Sequence, residues 1–171
     1  MGWLACDIRD TFEVLTLTVL EQVLLGNAAS PLRKALMDSG LGSTLSDGSG
    51  YDADNRDTIF SCGLKDTAED SAEAVERIVF NTLEQLVGEG LDPELIASAI
   101  HQIEFHRKEI SNTPYPYGIK LLLMIIGSWL HDGDPERILR LDADFQRLHQ
   151  EIAAGRFLEG RIQSYFLDNT H

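Results

Sequence analysis

The sequence predicts an α+β fold in which several helices cover a small antiparallel sheet. Three observations predict it. Segments with capping residues and three-to-four apolar spacing recur along the 171 residues and give six or seven helices. Strand-like alternation is confined to 2–7, 58–65 and a weaker stretch near 43–46. Strands so few and so separated fit an α+β layer in which helices cover one face of a small antiparallel sheet. The length suits one core, so residues 1–171 are read as one domain.

The elements follow in order. "GWLACD" (2–7) is a strand. Asp10 then opens "DTFE", where its carboxylate can accept from the third amide and Glu13 can reach back, so a helix runs to about Gly26. Its apolar residues, among them Phe12, Leu15, Leu17, Leu20 and Leu24, cover more than one face, which places it between other elements. Ser30-Pro31 starts a short helix that Gly40 ends. Residues 46–57, "SDGSGYDADNRD", read as a polar loop. In "TIFSCGLK" (58–65), Ile59, Phe60, Cys62 and Leu64 stand against Ser61 and Gly63, a strand with one buried face.

The second half is helical. A long helix occupies about 69–88, with Ala72, Val75, Ile78, Val79, Leu83 and Leu86 at helical spacing, until "GEG" stops it. Asp92-Pro93 begins another at 93–111, and the two prolines of "NTPYPYG" (112–118) break the pattern. The segment 118–131 contains "IKLLLMIIGSWL", which is far short of the roughly 20 residues of a membrane span and reads as a buried helix. Asp134-Pro135 caps a further segment, and amphipathic helices follow at about 142–153 and 155–168.

Composition excludes several classes. A formal net charge of −14 leaves no basic patch for phosphates, which argues against nucleic acid. The acidity provides solubility, or else a surface that attracts basic peptides. Cys6 and Cys62 lie in separate apolar segments and read as reduced core thiols, a disulfide between adjacent strands being the alternative. No signal-peptide pattern opens the chain, and the expected location is cytoplasmic.

"HQIEFHRKE" (101–109) is a near relative of the H-x-x-E-H zinc motif. Each helical residue turns the side-chain direction by about 100°, so histidines four apart differ by about 40° and can share a metal. His101 and His106 are five apart and diverge by about 140°. The stripe of Ile96, Ala99, Ile103 and Ile110 puts His106 inward and His101 outward beside Glu104, so no zinc pair is expected. His131, Asp132 and Asp134 read as caps of a turn, and the 46–57 loop lacks the ligand spacing of a calcium loop. The residues show no catalytic, metal or cofactor site. Exposed carboxylates such as Glu69, Asp70 and Glu73 are either a solvated face or part of an exosite.

Taken in order, "NAASPLRKALMDSGLGS" (27–43), "FSCGLKD" (60–66), "IHQIEFHRKE" (100–109), "GIKLLLMIIGSWLHDGDPERILRL" (118–141) and "FLEGRIQSYFLDNTH" (157–171) resemble presequence proteases. These are a branch of the insulinase-like, inverted-motif zinc metalloproteases. The resemblance runs from about residue 2 to 171 and implies the second, non-catalytic domain of an N-terminal half, with zinc held in the preceding domain and none in this chain. It implies a fragment: Met1 and Gly2 read as an added start, and family members continue past "NTH" into a strand that returns to the sheet. The expected function is to supply chamber wall and inter-domain packing for a peptide-degrading zinc metalloendopeptidase, this chain being inactive alone. Its expected partners are the remaining domains of that protease and unstructured peptides, with possible self-association of the fragment, and neither nucleic acid nor membrane. The alternative is a stand-alone peptide-binding module of the same fold.

Overall fold

In the computed structural model, residues 1–110 and 114–170 are described. The predicted helix end at 111, the first two residues of the 112–118 break and His171 lie outside them. The three strands are β1 (Gly2–Asp7), β2 (Gly50–Asp52) and β3 (Asp57–Ser61). The helices are α1 (Thr11–Leu25), α2 (Pro31–Asp38), α3 (Ala72–Glu89), α4 (Pro93–Lys108), α5 (Tyr117–Leu130), α6 (Pro135–Leu139), α7 (Asp142–Ala154) and α8 (Phe157–Ile162). A π-helical turn, Gln163–Leu167, continues α8. The α+β class and the antiparallel sheet agree with expectation.

The sheet order is β1-β3-β2, with both pairings antiparallel. Trp3 opposes Phe60, which opposes Tyr51, so these three side chains share a face and point at the helices. Leu4, on the other face, is 46% exposed. The β1–β3 register slips by one residue between Leu4 and Asp7. At this bulge the buried Thr58 hydroxyl stands in for the missing backbone partner: it accepts from the Cys6 amide at 3.0 Å and donates to the Cys6 carbonyl at 2.9 Å.

Two strand expectations are corrected. β2 lies inside the segment read as a polar loop, because its three residues pair through backbone groups with β3. The weak strand near 43–46 is only an isolated bridge, Leu45 to Leu64. The helix starts agree more closely. Asp10 accepts from the Glu13 amide at 3.1 Å, but the Glu13 carboxylate does not reach back. It binds Arg161, at 2.9 and 2.6 Å, and accepts from the Tyr165 hydroxyl. Asp92 and Asp134 cap the starts of α4 and α6, each followed by proline. Gly40, at φ +67°, ends α2 in the left-handed conformation that glycine tolerates best.

α1 is the central element, as its all-round apolar pattern predicts: Leu17, Val19, Leu20, Val23 and Leu24 have no exposure. It carries α2, α4 and α7 around it and touches the sheet. The chain ends are tied together by aromatic packing. Trp3 donates its indole N–H to the Phe166 carbonyl at 3.1 Å, and Phe60 and Phe166 centroids lie 4.7 Å apart.

The largest departure is α5, expected to be buried. Only Gly127 and Ser128 of its fourteen residues are buried, while Leu123 is 54%, Trp129 57% and Leu130 74% exposed. The apolar composition states a demand for burial that packing in this chain does not meet. The helix is held mainly by its return into α6. There the Ser128 carbonyl accepts from Gly133 at 2.8 Å, and the Ser128 side chain fills the space a Cβ on Gly133 would need. No described helix is long and apolar enough to cross a membrane.

Candidate functional site

α4 carries the histidine motif and divides the helical half into cavities. Its inner face is Ile96, Ala99 and Ile100, all buried, followed by half-buried Ile103. Gln22 of α1 donates to Gln102 at 2.7 Å. Beyond Ile103 the helix overhangs the core and faces a cavity of about 390 Å³ between α1, α5 and α6. His106 therefore sits exposed on the rim, with Nδ1 2.8 Å from the Gln102 carbonyl of its own helix. The expectation that His106 points into the core is overturned. The apolar stripe continues in phase, but among the described residues its end meets an open cavity, and Ile110 is 74% exposed.

His101 is exposed as expected. It lines a second cavity of about 470 Å³ between α4, α7 and α8, with Ile96, Ile100, Ile152 and Phe157 as its apolar walls. Glu104 turns to His149 of α7, with Nε2 and Oε1 3.6 Å apart. Each residue of the motif thus has a different neighbour, and the three do not converge. Among the described residues no three His, Cys, Asp or Glu side chains are grouped to hold a metal ion. The residues of H-x-x-E-H likeness do not fit a zinc site.

The other sequence candidates are structural. Asp134 accepts from the Glu136 amide at 2.9 Å, and Asp132 adopts φ +64° in the turn after α5. Cys6 and Cys62 are free and buried. Burial pushes the Cys62 thiol up to about 11, and it raises Cys6 as well, against the opposing hydrogen bonds with Tyr51 and Thr58. At both positions burial favours the protonated thiol.

Sequence reasoning missed the buried carboxylates. Asp144 of α7 is 3% exposed and accepts from Arg137 at 2.6 Å and from Thr11 at 3.1 Å, which ties α7 to α6 and α1. Glu159 of α8 is 8% exposed and accepts from the Leu91 amide at 2.9 Å. Thr11 and the Leu91 amide are far away in sequence, and Arg137 reaches Asp144 from a different helix, so no periodicity within one helix announces either carboxylate. Arg107 donates to the Ile138 carbonyl at 2.5 Å, and burial pulls its pKa below the ordinary arginine value. What the arrangement offers is apolar cavities and a bare helix face, surfaces suited to binding.

Over residues 1–103 the chain matches the family described as the peptidase M16 inactive domain. It is 35% identical over 172 residues to the mitochondrial presequence protease of Danio rerio and 34% identical over 172 residues to that of Mus musculus. Each comparison takes in 100% of this chain and 16% of the relative. Presequence protease 1, chloroplastic/mitochondrial, of Arabidopsis thaliana is 33% identical over 160 residues, which are 92% of this chain and 15% of that protein. The chain therefore spans only a small part of the length of these relatives.

Proposed function

We propose that this chain, which belongs to the peptidase M16 family through that family's inactive domain, serves as one non-catalytic domain, residues 1–171, of a longer peptide-degrading zinc protease. It supplies part of the wall of a substrate chamber and packs against the remaining domains. Zinc and the glutamate that activates water belong to another domain. The observation that carries the reading is whole-chain similarity to 16% of presequence proteases, together with a match to a domain described as inactive. The divergence of His101, Glu104 and His106 supports it, since these are the residues that come nearest to a zinc motif.

In such an assembly this domain selects by shape. Unstructured peptides are admitted because they fit a closed space, and positioning is contributed without chemistry. Complementation tests the proposal: the chain is mixed with a parent protein lacking the region equivalent to 1–171, and hydrolysis of an unstructured fluorogenic peptide is followed. Neither piece should cleave alone, and the mixture should regain chelator-sensitive activity. Chelator-sensitive cleavage by the chain alone, surviving repurification and lost in His101→Ala, would overturn it. A stand-alone peptide-binding module is the second reading. The apolar cavity between α4, α7 and α8 favours it, and peptide binding by the chain in the absence of any parent protein would support it.

A further inference from the structure

α5 is apolar nearly all round, and its outward side is bare. At about 100° per residue, Trp129, Leu122, Ile126, Ile119, Leu130 and Leu123 fall in that angular order within an arc of about 120°. Five of the six are 45% to 74% exposed, and Ile126 is half-buried. The side that faces the protein carries the buried Gly127 and Ser128 together with the half-buried Tyr117, Lys120, Leu121 and Ile125. Apolar residues therefore lie on both sides of the helix, and it is the outward stripe that nothing in the described residues covers. Removing the large aliphatic and aromatic surface of this stripe from water is favourable. A contiguous apolar patch of this kind marks an interaction site.

We infer that the outward stripe of α5 is the surface on which another domain of the same longer polypeptide docks, through an apolar helical or sheet face. The inference rests on the proposed role as one domain of a longer protease. The relatives supply the occupant's origin: the matched region is 16% of their length, so most of such a chain lies elsewhere. A tethered face is present at a high effective concentration and requires little intrinsic affinity. The shape of the stripe selects a folded partner over an extended peptide, because a convex ridge of side chains fits the groove of another packed element, whereas peptides settle into grooves or along sheet edges. Charge selects against other occupants. A second copy also carries −14, and Asp132, Asp134 and Glu136 beside the exposed end of α5 repel an anionic lipid surface.

The test uses the full-length polypeptide that contains this sequence. A photo-crosslinking amino acid replaces Leu122 or Trp129, and the exposed Glu73 of α3 serves as the control position. Mass spectrometry should place the Leu122 and Trp129 crosslinks within the same polypeptide, outside residues 1–171, with at least tenfold lower yield from position 73. A Leu122→Asp, Trp129→Asp double variant should leave the urea midpoint of the 171-residue chain unchanged yet speed limited proteolysis between the domains of the full-length protein at least tenfold. Crosslinks to a second copy or to lipid, or none above the control, would overturn the docking surface. Chelator-sensitive peptide hydrolysis by the same full-length protein is read separately. If it persists while the crosslinks fail, only the docking surface falls; if the full-length polypeptide has no such activity or no further domain, both readings fall.

Discussion

The bulge in β1 makes a sharp stability prediction for Thr58→Val. Valine copies the shape of threonine and removes only the hydroxyl. That hydroxyl is the partner of both the Cys6 amide, at 3.0 Å, and the Cys6 carbonyl, at 2.9 Å. Thr58 is fully buried and Cys6 is 8% exposed, so water does not replace it. Each stranded buried group costs about 1–3 kcal/mol, and the two share one site, so the expected loss is about 2–4 kcal/mol. Against a domain stability of about 5–15 kcal/mol this is a large fraction. With a urea slope near 2 kcal/mol/M, the midpoint should fall by roughly 1–2 M. Thr58→Ser keeps the hydroxyl and loses a methyl group, at a cost of about 1 kcal/mol. Equal midpoints for Thr58→Val and wild type, or equal damage from valine and serine, would refute the role assigned to the hydroxyl.

The remaining predictions concern the histidines, the thiols and association. His101→Ala and His106→Ala should each shift stability by no more than about 0.5 kcal/mol in urea titrations, because both side chains are exposed; a large loss at His106 alone would restore the inward orientation. The Cys62 thiol, at about 11 in the fold against an ordinary 9.0, binds its proton more tightly when folded. Its contribution is complete below pH 9 and is lost as pH rises through 11, an alkaline decline of about 2–3 kcal/mol that Cys62→Ala should flatten in midpoint-against-pH curves. The 171-residue chain should also self-associate weakly at high concentration, through the outer edge of β1. Light scattering should show larger species as salt screens the −14 charge, and a monomer at every ionic strength would count against it.

Those parts of the structure whose causes are local are written in the sequence. Asp10, Asp92 and Asp134 announce helix starts because each carboxylate accepts from an amide two or three residues on. The central position of α1 follows from apolar residues on all its sides, and the about 140° between His101 and His106 follows from helix geometry alone. Whatever depends on a partner from another element is set only when the chain folds. β2 is a strand only because β3 offers it a backbone edge, so three residues of a polar segment pair without any pattern of their own. Asp144 and Glu159 are buried because Arg137, Thr11 and the Leu91 amide come to them from other elements. His106 follows the phase of its helix, but an open cavity lies where that phase points, and so it ends on a rim. α5 is the clearest case: composition fixes how strongly its residues favour leaving water, whereas only the arrangement of the other helices decides whether anything in this chain is there to cover them.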